Sequence, residues 1–408
     1  MLAAINRHIE SSTQTIIDLQ RSLVAIPALG PMNGGPGEKD KAEFLKTYLK
    51  DMGFSEVREL RAPDAAVPCG YRPNLAAIVP GANRAKTFWV ISHTDIVPPG
   101  DLALWDSDPY TLRVEGDIII GRGVEDNHQG VVSSLVVAKA LLDLKITPAM
   151  NYGVLLVADE ETGSKFGLDY VVKSHPELFG PDDLFLVPDF GEPSAEMVEI
   201  AEKSMFWLKV VVEGRQCHAS TPKAGINSLL AASAFITRVP SLHQRFDRQD
   251  PLFDPPHSTF QPTKKEANVE NINTIPGRDV FYLDCRVMPG YDLDEVFAAI
   301  KALGDEVERE HGVRISYEYV QREQAAPPTP ADSEIVRKLL AAVRAVYNNN
   351  PKLQGIGGGT VAAYLRRAGH NAAVWSTLMH NAHQPNERSS LSCSIKDAKV
   401  MAAILFDT

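Results

Sequence analysis

The chain has 408 residues, more than one hydrophobic core usually serves, so two domains are expected, and its 44% hydrophobic and 23% charged residues exclude a disordered or fibrous protein. A formal net charge of −11, with no Lys/Arg run interleaved with aromatics, offers nothing to a phosphate backbone and excludes nucleic acid as a partner. Cys69, Cys217, Cys285 and Cys393 lie far apart without a C-x-x-C pair, so they read as reduced thiols and any metal must rely on His and carboxylates.

In chain order, the first residues mix apolar side chains with Asn6, Arg7, His8, Glu10 and Asp18 and lack the unbroken apolar core of a secretory signal. The apolar stretch 131–144 is interrupted by Ser133, Ser134, Lys139 and Asp143 and is too short to span a bilayer. A cytoplasmic protein without membrane contact is the expectation. Helical periodicity fits 5–24 and, after the Gly/Pro-rich turn 31–37, 38–52. Apolar runs at 75–79, 88–91, 152–157 and 184–187 then alternate with helical stretches at 131–144 and 168–173, as parallel strands with crossover helices do.

Around Glu202 the texture changes to strand 205–213, helix 222–237, strand 280–287, helix 293–303 and strand 313–319. After the Ala/Pro-rich linker 323–331 the first pattern resumes with helices 333–347 and 361–368, strand 372–375 and helix 395–405. The expected fold class is α/β: a mainly parallel, helix-flanked sheet in 1–201 and 322–408, with an inserted α+β domain at 202–321.

Three apolar runs end in acidic or imidazole groups: Trp89-Val90-Ile91 in Ser92-His93-Thr94-Asp95, 154–157 in Asp159-Glu160-Glu161, and 184–187 in Pro188-Asp189. Ligands of open α/β sheets bind beyond the carboxyl ends of the strands, which is where these groups would converge. Divalent ions need anionic oxygens and neutral imidazole, and two neighbouring ions need a shared carboxylate to damp their repulsion. Asp126, in Gly121-Arg122-Gly123-Val124-Glu125-Asp126-Asn127 just ahead of an apolar helix, is the natural bridge. His380 and His383 are both candidate ligands on spacing alone. Taken singly, His93 could be a packed histidine and Glu160-Glu161 a solvated pair, and their position after strands argues against both; on the residues alone Asp126 and Asp189 read more readily as helix caps.

Together, His93-Thr94-Asp95, 121–126, Asp159-Glu160-Glu161-Thr162-Gly163, Asp189, 214–218 and His383-Gln384-Pro385-Asn386-Glu387 resemble, in order over nearly the whole chain, one aminoacylase family. Its members include acetylornithine deacetylase, succinyl-diaminopimelate desuccinylase, carboxypeptidase G and related dipeptidases. The resemblance implies two divalent ions, zinc first, with cobalt or manganese also compatible with such ligands. One ion would be held by His93 and Asp189, the other by Glu161 and His383, with Asp126 bridging. Asp95 would orient His93, and Glu160 would be the acid/base. The inserted domain would be ferredoxin-like and form a homodimer, bringing His218 of Gly214-Arg215-Gln216-Cys217-His218 to the other subunit's reaction. Asn273 and Arg286 resemble positions that bind the substrate's carboxylate or carbonyl, while Gly357-Gly358-Gly359-Thr360, opening the helix expected at Val361, would offer backbone N–H groups and a helix N-terminus to an anion.

One departure is visible: the family pattern after the bridging Asp is a residue, Lys and Gly, whereas Asn127-His128-Gln129-Gly130 follows Asp126 here. His128 is therefore open as an intruder on the site or an occupant of the loop. The substrate class implied is an N-acyl amino acid, with a dipeptide or carboxypeptidase substrate as the alternative and a non-catalytic binding protein as a remote third. Desuccinylases carry a basic residue just before the strand leading to the small-domain histidine, and the chain reads Glu202-Lys203 there.

Overall fold

Asn83–His93 is the strand around which the larger part of the molecule is organised: its last seven residues are all buried, as in a sheet covered on both faces. The computed structural model describes residues 1–406. It divides into a larger unit, Met1–Ile200 with Pro328–Gln354 and Thr360–Thr408, and a smaller unit, Ala201–Pro327 with Gly355–Gly359.

The main sheet has eight strands in the order Val57–Pro63, Tyr71–Val79, Met150–Val157, Asn83–His93, Leu184–Val187, Ala372–Val374, Met197–Glu202 and Lys352–Ile356. Asn83–His93 runs parallel to both its neighbours, and Leu184–Val187 parallel to Ala372–Val374. The pairings of Val57–Pro63 with Tyr71–Val79, Tyr71–Val79 with Met150–Val157, and Ala372–Val374 with Met197–Glu202 are antiparallel. The sheet is thus mixed, with a parallel centre and antiparallel flanks, and this corrects the mainly parallel expectation. The flanking strands Val57–Pro63 and Lys352–Ile356 carry Arg58, Glu59 and Arg61, or Lys352 and Gln354, so they lack the apolar run that marks the centre.

Two helix readings also change. The periodic stretch 5–24 forms two helices, Leu2–Glu10 and Thr13–Val24, broken where the hydroxyls of Ser11 and Ser12 both bond back to the His8 carbonyl at 2.8 Å. The stretch 222–237 begins as a short turn, Pro222–Ala224, and becomes helix only at Ser228–Arg238, where the Asn227 side chain caps the backbone N–H groups of Leu229 and Leu230. In the larger unit His128–Asp143 is almost entirely buried beneath Leu391–Ile404.

The smaller unit has an antiparallel sheet ordered Thr259–Lys265, Arg278–Val287, Ser204–Glu213 and Arg314–Glu323. With helices Ser228–Arg238 and Leu293–His311, chain order and spatial order are those of a ferredoxin-like fold. Alternate residues of Ser204–Glu213 point into one core with Phe235, Phe281 and Ile300. Gly355–Gly359 joins this unit although it lies in the later part of the chain, because Gly355 N–H bonds Leu252 O at 2.7 Å and Lys203 N–H bonds Ile356 O at 3.0 Å. Among the described residues no helix is long and apolar enough to cross a membrane.

Candidate metal centre

Strand termini place the first group. His93 closes its strand with 1% exposure, and Thr94 N–H bonds the Val157 carbonyl at 2.8 Å, tying the ends of two parallel strands together. The His93 Nδ1 atom faces the Asp95 backbone carbonyl at 3.0 Å and the Asp95 carboxylate at 3.5 Å, which leaves Nε2 to face Asp126 Oδ1 at 2.8 Å and Asp189 Oδ1 at 3.5 Å. The Asp95 carboxylate has a second task that its spacing did not suggest: it accepts the backbone N–H groups of Glu160 at 3.1 Å and Glu161 at 3.0 Å.

These N–H groups belong to the short turn Glu160–Thr162, entered through Asp159 in the left-handed region at φ 62°. A non-glycine residue there needs support, and buried Asp159 has it. Its carboxylate takes Phe166 N–H at 3.0 Å, its own N–H bonds Glu38 at 3.2 Å, and the Arg72 guanidinium lies 3.4 Å away while bonding Glu38.

The second group assembles on the other Asp126 oxygen. His383 Nε2 lies 3.1 Å from Asp126 Oδ2 and 3.1 Å from Glu161 Oε2. His93, Asp126 and Asp189 form one set of convergent donor atoms and Asp126, Glu161 and His383 another, each within 4.8 Å. Asp189 is steadied by Asn127, whose Nδ2 donates to it at 2.6 Å and to Pro188 O at 2.8 Å.

The electrostatics are those of a site built around positive charge. Burial, aided by Asp189 and by Glu161 and Asp126, pushes the Glu160 carboxyl well above the usual range, against the pull of His93. Burial and Asp126 likewise lift Glu161 to about 7, opposed by its hydrogen bond to His383. Burial would depress His93, yet Asp189 and Asp126 overcome it and raise the imidazole. Hydrogen bonds to Asp126 and Glu161 raise His383 to about 10. Several carboxylates thus compete for two imidazolium protons, and the buried Glu161 Oε1 atom has no hydrogen-bond partner. Oxygen and imidazole donors in two overlapping sets, with an orphaned buried oxygen, fit divalent ions.

His380 stands apart from both sets, paired with Glu192 at 3.1 Å on the surface. His128 is not in either set: it is buried in the first turn of its helix, with Nε2 2.8 Å from the buried Lys41 ammonium, whose pKa burial lowers to about 7. Sequence reading missed Lys41, Glu125 and Asn127 as supports of the site. Glu387 was noticed only as a motif member. The two adjacent acids Glu125-Asp126 in a glycine-flanked loop were the available signal.

In the smaller unit, His218 is exposed, its Nδ1 2.7 Å from the Ser220 hydroxyl, and it pairs with Thr274 across a two-residue ladder. Ala219 N–H bonds Asn273 O at 2.8 Å, so the two sequence segments expected to contact substrate lie side by side. Arg286 holds Asp284 through Nε at 2.7 Å and Gly357 O through Nη1 at 2.7 Å, fastening the loop that carries Gly358 and Gly359. Thr360 precedes the short helix Ala362–Arg367. Lys203 is buried, its ammonium donating to Pro255 O and His257 O, each at 2.7 Å.

A mixed α/β sheet with an acid and imidazole cluster at its strand ends defines a metal-dependent hydrolase. The chain belongs to peptidase family M20/M25/M40, whose sequence pattern matches residues 89–407, and it is a metallopeptidase-family enzyme acting on amide or peptide bonds. An uncharacterized metallohydrolase of Methanococcus maripaludis is 41% identical over 411 residues, covering 95% of this chain and 98% of that protein. A succinyl-diaminopimelate desuccinylase of Gluconobacter oxydans is 30% identical over 355 residues, covering 86% of each chain. Among solved structures, a dipeptidase of Saccharomyces cerevisiae superposes with a TM-score of 0.77 at 16% identity, over 99% of this chain and 98% of its own, which is a likeness of fold.

Proposed function

We propose that the protein is a two-metal deacylase that hydrolyses the amide bond of an N-acylated amino acid. His93 and Asp189 would hold one ion, Glu161 and His383 the other, and Asp126 both. The observation that carries this reading is the division of the Asp126 carboxylate, Oδ1 toward His93 and Oδ2 toward His383. When bound, such ions, zinc by preference of the donor set, lower the pKa of a water and polarise a carbonyl.

The chain's own residues supply the rest. Glu160, whose carboxyl is raised by burial beside Asp189 and Glu161, has the proton affinity to take a proton from the attacking water. The water oxygen joins the carbonyl carbon, the carbon–nitrogen bond breaks, and Glu160 returns the proton to the leaving amine. Asp95 fixes both the turn that presents Glu160 and the orientation of His93. His218, from a second copy of the chain, would donate a hydrogen bond to the oxyanion, with Asn273 beside it. Arg286 would place Gly358 and Gly359 against the substrate's carboxylate or carbonyl.

The Gluconobacter relative favours deacylation over peptide cleavage. Lys203 is the basic group near the position that a succinyl carboxylate would require, and its two carbonyl bonds commit it elsewhere, which supports a smaller or uncharged acyl group. Turnover of metal-loaded protein on acetylated amino acids, succinylated amino acids and dipeptides tests the reading. Turnover of dipeptides alone would replace it with a dipeptidase.

A further inference from the structure

Two buried carboxylates beside the donor sets belong to no donor set and cross over one another. Glu387, 0% exposed, follows His383 in the chain but serves the other loop: it accepts Arg122 Nη1 at 2.7 Å and the backbone N–H groups of Gly123 at 2.9 Å, Glu125 at 2.9 Å and Asp126 at 3.1 Å. Glu125, 1% exposed, precedes Asp126 but serves the His383 loop, accepting the N–H groups of Met379 and, at 2.9 Å, Asn381. Each acid neighbours one donor residue and fastens the backbone that carries the other.

The His383 loop needs such a fastening. His380, His383 and Asn386 all adopt left-handed backbone, at φ 58°, 64° and 57°, a conformation that costs free energy in each residue unless the surroundings impose it. The His383 side chain is itself 54% exposed, so packing does little to fix its imidazole. Among the described residues, the Glu125 carboxylate takes two N–H groups from the segment just before His383, and a carboxylate bound by two backbone donors is a strong local restraint. His93 needs no such help, since it ends a strand whose last seven residues are buried.

We infer that Glu125 is a positioning residue that selectively sets the Asp126–Glu161–His383 donor set by holding the His383 loop, while leaving the His93–Asp126–Asp189 set to the strand ends. This rests on the two-ion reading above. It predicts an asymmetry between the ions that a general contribution to folding would not produce.

The test is a Co(II) titration of chelator-treated, full-length protein, followed by the cobalt absorption bands and by calorimetry, for the wild type, Glu125→Gln, Glu125→Ala and His383→Ala. Glu125→Gln keeps the shape but turns an NH2 toward one of the two N–H groups. The expected result is two ions in the wild type, with one bound about as tightly in Glu125→Gln and the other weakened by about 10- to 100-fold, the range for losing a support behind a ligand. His383→Ala should lose the same ion, and retention of the first ion shows that each variant is folded. Wild-type affinity for both ions in Glu125→Gln and Glu125→Ala would overturn the inference, as would equal weakening of both. A wild type that binds fewer than two ions would remove the two-ion reading and the inference with it, whereas two ions in the wild type with both Glu125 variants unchanged would remove the inference alone.

Discussion

Half-exposed His383 apart, the larger unit buries its donor groups, while the smaller unit displays His218 and Asn273. His93, Asp95 and Glu387 are at most 1% exposed, and each polar atom they present is answered by a backbone N–H, a carbonyl, a carboxylate or a side-chain donor. His218 and Asn273 of the smaller unit are exposed, on a ladder two residues long. Burial in the first region makes a charge imbalance that bound cations would relieve, so the region carries its own evidence of function. An exposed histidine has no such imbalance, and the role proposed for it would rest on a second copy of the chain.

The contrast can be broken in order of expected effect. Removing metal with a chelator should abolish turnover entirely and lower the Tm, because ions binding only the folded chain stabilise it by mass action, and refilling with Zn(II) should restore both; full turnover of metal-free protein in an amide hydrolysis assay would end the metal reading. Glu160→Ala should keep its metal content by elemental analysis yet lose about 10²- to 10⁴-fold in kcat, the usual contribution of an acid/base group. Near-normal turnover with metal bound would show that Glu160 is not the base.

His218→Ala should cost about 10²-fold in kcat with KM little changed, as for one oxyanion donor, and the protein should run as a dimer on size exclusion. A loss confined to KM, or an active monomer, would confine His218 to the surface.

The smallest effect concerns Lys41. Its folded pKa of about 7 lies below the unfolded 10.5, so between these values the unfolded chain binds more protons and stability rises with pH. The contribution is complete above pH 10.5 and lost as pH falls toward 7. Denaturant melts of wild type and Lys41→Met should therefore diverge across that window, with the wild type alone gaining from rising pH; parallel curves would place the Lys41 proton elsewhere.

Burial also decided what the sequence disclosed. The strand ends at His93, Glu160-Glu161 and Asp189 could be read because a strand segment buried on both faces must be a continuous apolar run, and polar residues at its end stand out. Resemblance separated His383 from His380, which spacing left equal, and the structure puts only His383 among the convergent donors. Glu125, Glu387 and Lys41 were not legible as supports, because an acid satisfied by backbone N–H groups or a lysine resting on a histidine is written with the same letters as a solvated charge. The antiparallel pairing of the edge strand Val57–Pro63 escaped for the complementary reason: the strand is partly exposed and of mixed composition.

The chain leaves the larger unit after Ile200 and re-enters it at Pro328, and the Thr329 N–H bonds the Ile200 carbonyl at 2.8 Å. The host therefore sees the whole intervening segment as a loop whose two ends are already stitched together. Closure entropy grows only with the logarithm of loop length, so a long insertion at such a seam costs the host little more than a short one. The junction is accordingly a natural place for accretion or exchange of a module, where the larger unit can keep its register while the intervening segment varies.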